Sequence, residues 1–284
     1  MKSDSGEDAG NRRMERITDI YSEKMSVYSQ LNENQLKHIY EPEEGLFIAE
    51  SANVIIRAMD AGYVPESFLI EDALLEKAES ITDRYPEATV YTASGEVLSR
   101  LTGYPMTRGF LSAMKRRETT DYRSLLKDSR HVAVLVGIEN PTNMGAIFRS
   151  AAALGIDAVL VSHDSCDPLY RRAIRVSMGT VFQVPWAVIP AQDWTDVLFT
   201  AMKDGGYTTF AAALTDDAVP LDRVSEIRKQ KAVVFFGSEG EGLAKEVTDR
   251  CDCRIVIPME HGVDSLNVAA ASAVIFWEMR SALR

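Results

Sequence analysis

The sequence has little cysteine and no long apolar run, and each absence excludes a class of protein. The three cysteines among 284 residues, Cys166, Cys251 and Cys253, are an odd number without C-x-x-C spacing. They therefore indicate neither a disulfide framework nor a structural zinc site. The longest strongly apolar stretch, Val268 to Trp277, is only half as long as the roughly 20 residues of a membrane-spanning helix, and the polar N-terminus lacks the apolar core of a signal peptide. We expect a cytoplasmic protein without a membrane segment or a bound metal.

Positive charge is scarce overall but concentrated locally. With 31 Lys and Arg against 42 Asp and Glu, the formal net charge is −11, which argues against a protein that coats nucleic acid without specificity. Residues 100–130 nevertheless carry eight basic and three acidic residues, whereas residues 41–90 carry three basic and twelve acidic ones. A second basic cluster contains Arg171, Arg172 and Arg175. Each cluster alone is as typical of a solvated helix face or a linker as of a local basic binding site.

The first part of the chain is predicted to hold a helical extension, a small domain and a linker. Apolar residues at helical spacing predict an N-terminal helical extension over residues 1–40. Between residues 41 and 115, helical stretches alternate with short strand-like runs, which favours a small α/β domain. Residues 116–130 are polar and basic, and we expect them to form a linker.

The remainder, residues 131–284, is predicted to form a larger α/β domain. Near-continuous apolar runs occur at 132–137, 156–161, 181–189, 207–214, 232–236 and 254–258. Strands that are buried on both faces have this composition, and helical patterns lie between them. The alternation predicts a doubly wound parallel sheet, in which ligands bind beyond the carboxyl ends of the strands.

Three loops that follow predicted strands carry residues suited to binding. The first leads into a helix for which Asn143 is the predicted N-cap and on which Arg149 can reach a bound anion. The second, Gly237 to Gly242, has glycines that permit close backbone approach, but it matches neither common phosphate-binding glycine motif. The third places Ser265 and Asn267 at the start of the last helix. Taken singly, each loop can also be explained by helix capping or by an ordinary turn.

Together the three loops resemble the SpoU/TrmH family of RNA 2′-O-ribose methyltransferases. The pattern N-P-x-N-x-G-x-I-x-R stands at Asn140 through Arg149, G-S-E-G-x-G-L at Gly237 through Leu243, and I-P-M-x-x-G-x-x-S-L-N-V at Ile257 through Val268. The resemblance covers roughly residues 131–284. Residues 45–114 more loosely resemble the substrate-binding domain that precedes this domain in many members.

The resemblance implies a SPOUT-type fold with a trefoil knot near the C-terminus, a homodimer, and S-adenosylmethionine as the cofactor. It places the cofactor contacts on Gly237, Ser238, Gly240, Ile257, Met259 and Leu266. It places catalytic and RNA-contact roles on Asn143, Arg149, Glu239, Ser265 and Asn267. The implied reaction methylates a ribose 2′-hydroxyl in structured ribosomal or transfer RNA. Further candidates for RNA binding, taken from the two basic clusters, are Arg108, Lys115, Arg116, Arg117, Arg171 and Arg172.

The role of Arg149 separates the hypotheses that remain open. A guanidinium with a pKa above about 12 is a poor base near neutral pH, so we assign Arg149 to phosphate binding and charge stabilisation and leave the proton acceptor unassigned. One alternative is a catalytically silent RNA-binding protein of the same fold, against which the complete set of catalytic-type residues argues. Another is a methyltransferase for a small molecule or a protein, in which Arg149 would lack a phosphate partner.

Overall fold

The computed structural model describes residues 13–19, 21–29, 35–36, 45–102, 109–118, 120–224, 227, 231–238 and 240–280. The chain divides into two compact units, Met1–Arg117 and Glu118–Arg284. Within the described residues, no helix combines the length and the apolar character needed to cross a membrane.

The smaller unit is built on a mixed five-stranded sheet, as expected for a small α/β domain. Its strands are β1 (Met14–Arg16), β2 (Leu46–Glu50), β3 (Pro65–Glu71), β4 (Thr89–Ala93) and β5 (Phe110–Lys115). The α-helices with bounds inside its described residues are α1 (Ser26–Ser29), α2 (Ala52–Asp60), α3 (Leu75–Thr82) and α4 (Gly95–Thr102). The strand order is β1-β4-β3-β5-β2, with β5 antiparallel to both of its neighbours and the other pairs parallel.

The prediction of a helical extension over residues 1–40 is wrong for Met14–Arg16, whereas Glu23–Met25 and Ser26–Ser29 are helical as expected. Residues Met14–Arg16 form a strand that pairs in parallel with β4 at the edge of the sheet. Further along, Met25 and Tyr28 are buried in the core of the smaller unit. The Tyr28 hydroxyl lies 2.8 Å from the hydroxyl of Ser67 on β3. Pairing with a distant strand overrides the local helical spacing, and this segment is an integral part of the unit.

The larger unit contains a fully parallel seven-stranded sheet. Its strands are β6 (His131–Leu135), β7 (Ala158–Ser162), β8 (Trp186–Ile189), β9 (Thr208–Ala212), β10 (Val219–Pro220), β11 (Ala232–Phe236) and β12 (Cys253–Val256). In the part of this unit that the structure describes, the α-helices with defined bounds are α5 (Tyr122–Asp128), α6 (Pro141–Leu154), α7 (Arg171–Val176), α8 (Asp196–Asp204), α9 (Lys245–Arg250) and α10 (Val268–Met279). The strand order is β10-β12-β9-β11-β6-β7-β8.

Helices cover both faces of this sheet, which confirms the doubly wound prediction. On one face, residues of α5, α8 and α9 share a core with alternate residues of the strands, such as Val233 and Phe235. On the other face, Phe236 of β11 packs edge-on against Phe276 of α10 with ring centroids 5.4 Å apart. Strands β6 and β11 are neighbours at the point where the strand order reverses, the usual place for a ligand. The trefoil knot stays a prediction.

The prediction of a linker over residues 116–130 is wrong for its second half. Residues Tyr122–Asp128 form α5, and its Tyr122 and Leu126 are buried in the core of the larger unit. The hydroxyl of Tyr207 lies 2.6 Å from the carbonyl oxygens of both Leu126 and Ser129, so it donates a hydrogen bond at the C-terminal end of α5. This segment is polar because only one face of a short surface helix is buried.

Candidate active site

The helix that follows β6 begins earlier than its sequence suggests. Helix α6 starts at Pro141, and the preceding Asn140 is its N-cap, because the Asn140 side chain accepts a hydrogen bond of 2.9 Å from the backbone N–H of Thr142. Proline suits the first helical position, where its fixed φ and missing N–H cost nothing. The prediction of Asn143 as the N-cap is therefore wrong. Asn143 lies within the first turn of the helix and is buried.

Asn267 joins the starts of two helices. It is the N-cap of α10, and its side-chain oxygen accepts a hydrogen bond of 2.9 Å from the backbone N–H of Ala269. Its side-chain nitrogen donates to the side-chain oxygen of Asn143 on α6 at 3.2 Å. The positive ends of two helix dipoles thus lie near this pair, which favours a negative charge nearby. The structure brings these two predicted site residues together.

Arg149 lies on an exposed part of α6. It shares one side of the helix with Thr142 and Gly145, because residues three, four and seven apart lie on the same face. Gly145 packs tightly against α7 on this side, since a Cβ on it would lie 2.4 Å from the carbonyl oxygen of Ala173. Among the residues that the structure describes, Arg149 has no hydrogen-bond or ion-pair partner. Its guanidinium is therefore available to an anionic ligand.

Two of the predicted RNA-binding arginines lie close to the start of α6. Arg172 on α7 is exposed, and its Nε donates a hydrogen bond of 2.8 Å to the hydroxyl of Thr142. Arg171 precedes it on the same helix and is half-buried. The contact with Thr142 fixes one positive side chain beside the helix end where Asn143 and Asn267 meet.

The predicted RNA-binding residues in the smaller unit are engaged by the protein itself. The Nζ of Lys115 forms a 2.9 Å ion pair with a glutamate on β3. The side chain of Arg116 donates to a backbone carbonyl at 3.1 Å, and that of Arg117 donates to another at 2.7 Å while lying over a tyrosine ring. These contacts stabilise the small unit. Arg108 lies outside the described residues.

The glycine-rich loop after β11 closes tightly on itself. Gly242 donates a backbone hydrogen bond of 3.1 Å to Ser238, and the two residues form an isolated antiparallel bridge. A Cβ on Gly237 would lie 2.2 Å from the carbonyl carbon of Gly242, so only glycine fits at position 237. Gly240, by contrast, faces open space. Glu239, the predicted catalytic carboxylate of this loop, lies outside the described residues.

The loop after β12 carries polar and apolar side chains toward α10. Ser265 and Leu266 are exposed just before the helix, whereas Ile257 and Met259 are half-buried near the end of the strand. His261 between them has a φ of 58°, a left-handed conformation that histidine adopts more readily than bulky residues do. The loop therefore turns sharply before it enters α10.

A cavity of about 720 Å³ opens between the loops that follow β9, β11 and β12. Residues predicted to bind the cofactor line it together with the predicted catalytic Ser265: Gly237, Ser238, Gly240, Ile257, Met259 and Leu266. The side facing the core is apolar and includes Phe236, Ala271 and Ile275. This location agrees with the rule that ligands bind beyond the carboxyl ends of parallel strands, but it lies on the β9 side of β11 and not at the switch point between β6 and β11. Asn143, Arg149 and Asn267 are not among the lining residues, although Asn267 directly follows Leu266 in the chain.

One wall of this cavity was not predicted from the sequence. Leu214, Thr215 and Asp217, from the loop after β9, line it, as does Arg254 of β12. The apolar run 207–214 was predicted as a strand, and ligands bind beyond the carboxyl ends of parallel strands. The sequence therefore already pointed to the loop that follows this run. The loop lacks glycines and a recognisable motif, so nothing else in its sequence marked it.

Comparisons with known proteins agree with this architecture. Residues 130–277 match the SpoU rRNA methylase family. A relative named an uncharacterized tRNA/rRNA methyltransferase, from Mycobacterium bovis, is 36% identical over 236 residues, which are 83% of this chain and 81% of the relative.

Two solved structures are similar over most of the chain. An AdoMet-bound rRNA methyltransferase from Sinorhizobium meliloti superimposes with a TM-score of 0.78 at 20% identity, covering 94% of this chain and 97% of its own. A protein described as an RNA 2′-O ribose methyltransferase superimposes with a TM-score of 0.74 at 25% identity, covering 93% and 97%. The chain belongs to the SpoU rRNA methylase family, a family of RNA methyltransferases.

Proposed function

We propose that this protein transfers a methyl group from S-adenosylmethionine to a ribose 2′-hydroxyl in structured ribosomal or transfer RNA. The observation that carries the proposal is the cavity between three strand-end loops, one of which ends at Asn267 and so reaches the Asn143–Asn267 pair. The names of the relatives support the choice of RNA as substrate. The AdoMet-bound structure supports the cofactor, and the 2′-O ribose methyltransferase supports the acceptor group.

The cavity has the chemistry that this cofactor requires. An adenine ring is flat and largely apolar, and Ile257, Leu266 and Ile275 offer an apolar surface for it. Main-chain groups of the loop that begins at Gly237 are exposed at close range, because the loop carries glycines where a side chain would intervene. When bound, S-adenosylmethionine supplies an electrophilic methyl group on its sulfonium.

Arg149 is suited to hold the RNA rather than to remove a proton. Its guanidinium stays charged at neutral pH and presents a planar fork that matches two phosphate oxygens. The phosphate is covalently linked to the ribose in the RNA backbone. Holding the phosphate therefore also orients the 2′-hydroxyl. The same positive charge stabilises the negative charge that develops on the 2′-oxygen during transfer.

Asn143, Asn267 and Ser265 orient the reacting groups. The bond between the two asparagines fixes the rotamers of both side chains, and Ser265 presents a hydroxyl at the cavity rim. Glu239 is proposed to act with them, as the family resemblance implies. Polar groups that are already in position increase the rate of methyl transfer, because less reorganisation of the site accompanies the reaction.

The surface around α6 and α7 is proposed to bind RNA. Arg171 and Arg172 lie on α7, and Arg172 is exposed beside the start of α6, where it donates to Thr142; Lys115, Arg116 and Arg117 are bound within the smaller unit. Contacts between these arginines and RNA phosphates would make RNA binding depend on salt concentration.

The protein is further proposed to act as a cytoplasmic homodimer. Helix α10 is apolar nearly all the way round, and its Val274 and Trp277 are 39% and 52% exposed. A second copy would cover these side chains. Light scattering tests this: a mass of twice 31.5 kDa is expected, and a monomer at micromolar concentration would exclude the dimer.

The decisive experiment maps ribose methylation across total RNA from cells with and without the protein. A 2′-O-methylated nucleotide that disappears without the protein, and returns with the wild-type chain but not with an Arg149→Ala variant, is the expected result. If a base methylation changes and no ribose methylation does, the proposed acceptor, the ribose 2′-hydroxyl, is wrong. The protein would still be an RNA methyltransferase. If no RNA modification changes, a substrate other than RNA becomes the better hypothesis.

A further inference from the structure

The proposed function leaves one part of the larger unit without a role, the point between β6 and β11 where the strand order reverses. Gly137 follows β6 at this point. A Cβ on Gly137 would lie 3.7 Å from Oδ2 of Asp164, in the loop after β7, and 3.9 Å from Cβ of Ser238, in the loop after β11. Ser238 also lines the cavity. The Asp164 carboxylate therefore lies close to one wall of the cavity, where doubly wound sheets usually bind a ligand.

The Asp164 side chain is held in place but keeps one oxygen open. Its Oδ1 accepts a hydrogen bond from the hydroxyl of Ser162, and that hydroxyl accepts one of 3.0 Å from the backbone N–H of Gly137. Ser162 is buried, whereas Asp164 is exposed. The Oδ2 of Asp164 makes no hydrogen bond or ion pair with any residue in the described ranges. Because a carboxylate oxygen accepts hydrogen bonds, this atom suits a ligand that offers a donor.

An aromatic pair lies next to this carboxylate. The ring of His163 and the ring of Trp194, in the loop after β8, meet at 68° with their centroids 6.3 Å apart. This edge-to-face arrangement is a favourable one for two aromatic rings. His163 is exposed, whereas Trp194 packs against the core of the larger unit. The anchored indole therefore orients the imidazole, which presents a ring surface to solvent.

The backbone beside Trp194 is strained. Thr195 has a φ of 65°, a value that is unfavourable for a β-branched residue. Its buried hydroxyl donates a hydrogen bond of 3.1 Å to Glu246 on α9, the helix that follows the glycine-rich loop. Strain of this kind persists only where the surrounding structure enforces it, and it is concentrated at functional sites. The structure therefore keeps Trp194 in a fixed position relative to the glycine-rich loop.

These observations define a switch-point surface that consists of Gly137, His163, Asp164, Trp194 and Ser238. We propose that it receives the nucleobase of the nucleotide to be methylated, which stacks on His163 and donates a hydrogen bond to Oδ2 of Asp164. Proteins that read unpaired RNA stack splayed-out bases on aromatic rings, including histidine, and form hydrogen bonds with the edges of the bases. The proposal rests on the proposed function, because it takes RNA as the substrate.

The local charge favours a base over a phosphate at this surface. The loops after β6 and β7 carry the acidic residues Glu139, Asp164 and Asp167 and no lysine or arginine, so they repel a phosphate. The side chains proposed to hold phosphate, Arg149 and Arg172, lie on α6 and α7 instead. A base at the switch-point surface would direct its ribose toward the cavity, because Ser238 belongs to both.

The test is a double-mutant cycle between His163 and the base, measured as single-turnover methylation at subsaturating RNA. It uses an RNA fragment that contains the nucleotide identified by the mapping experiment, and the same fragment with an abasic ribose at that nucleotide. In His163→Leu, the rate with the intact fragment should fall about tenfold. With the abasic fragment, this variant and wild type should differ by no more than about twofold, because the stacking partner is already absent.

The matched control is His163→Phe, which keeps an aromatic face and should stay within about threefold of wild type on both fragments. Asp164→Ala should lose about tenfold on the intact fragment alone, because it removes the acceptor for the base. The two residues do not line the cavity. Calorimetry should therefore give an affinity for S-adenosylmethionine within about twofold of wild type in all three variants, which also shows that they are folded.

An equal loss of rate on the two fragments in His163→Leu would show that His163 does not contact the base and would overturn the proposal. An unchanged rate on the intact fragment would overturn it as well, and so would a loss in His163→Phe as large as that in His163→Leu. An unchanged rate in Asp164→Ala would exclude the hydrogen bond to the base. If the mapping experiment finds no methylated nucleotide, the proposed function itself is wrong and this proposal falls with it.

Discussion

The side-chain amide of Asn267 donates a hydrogen bond of 3.2 Å to the side-chain oxygen of Asn143. Asn267 ends the loop that lines the cavity, whereas Asn143 lies on the helix that carries Arg149. The pair therefore links the part of the site proposed to hold the cofactor to the part proposed to hold the RNA.

Replacing Asn267 should separate its capping role from its role in orientation. Asn267→Ser keeps a good N-cap on α10, but its shorter side chain does not reach Asn143. We expect its free energy of unfolding to stay near wild type and its single-turnover methylation rate to fall by about tenfold or more. Asn267→Ala loses both roles, and its free energy of unfolding should fall by about 1 kcal/mol. A serine variant as fast as wild type would show that the pair only caps.

Replacing Arg149 should affect methyl transfer but not cofactor binding, because Arg149 lies on α6 and does not line the cavity. In Arg149→Ala, the affinity for S-adenosylmethionine should stay nearly unchanged, while the single-turnover rate with bound RNA should fall by a factor of about 10² or more. Arg149→Lys should restore little, since an ammonium lacks the bidentate fork. An alanine variant within about tenfold of the wild-type rate would identify Arg149 as an ordinary surface residue.

Two glycines of one loop should respond very differently to the same change. A Cβ on Gly237 would lie 2.2 Å from backbone atoms, whereas a Cβ on Gly240 would meet open space. Gly237→Ala should therefore distort the loop and weaken cofactor binding by about tenfold or more. Gly240→Ala is its matched control and should bind within about threefold of wild type. Equal effects in the two variants, measured by calorimetry, would contradict the described loop geometry.

His131 should make the stability of the larger unit depend on pH. Its side chain is buried at the start of β6, and its Nε2 has no hydrogen-bond partner within the described part of the chain. Burial lowers its pKa from the ordinary 6.5, and the charge of Asp157 only partly opposes this shift. The unfolded chain therefore binds a proton at a higher pH than the folded protein does. His131 should therefore cause no loss of stability above about pH 6.5. The free energy of unfolding should decrease as the pH falls from there toward the lowered pKa.

Urea unfolding at about pH 7.5 and about pH 5.5 checks this prediction. His131→Phe keeps an aromatic side chain but removes the titrating group, so it should lose less stability between the two pH values than wild type does. The surface variant His261→Phe is the control, because its imidazole is exposed. If wild type and His131→Phe show the same pH dependence, the buried imidazole does not contribute to it.

The parallel sheet was predictable from sequence because its strands are buried on both faces. A strand such as β6, with every residue buried, consists almost entirely of apolar residues, and this pattern does not depend on knowledge of its neighbours. The edge strand β1 is different. Its residues Met14–Arg16 are partly exposed, and its partner β4 lies more than 70 residues away in the chain. No local pattern reveals such a pairing.

The candidate site was predictable where a loop carries unusual residues and not where it carries ordinary ones. The glycines near Gly237 and the polar residues before α10 marked two walls of the cavity. The wall around Thr215 and the charge of Arg254 became visible only when the strand order placed β9 between β11 and β12. Asn140 and Asn143 are both suitable caps in sequence, and only the position of Pro141 in the first turn distinguishes them.

The hydrogen bonding of the Tyr207 hydroxyl at the C-terminal end of α5 determines where a fragment containing the larger unit should begin. A fragment that starts at residue 131 would delete Tyr122 and Leu126, leave the phenol group without its acceptors and uncover an apolar face of the sheet. Such a surface promotes aggregation. A fragment that starts at Glu118, where the larger unit begins, keeps this cover and is the better choice for calorimetry and crystallisation.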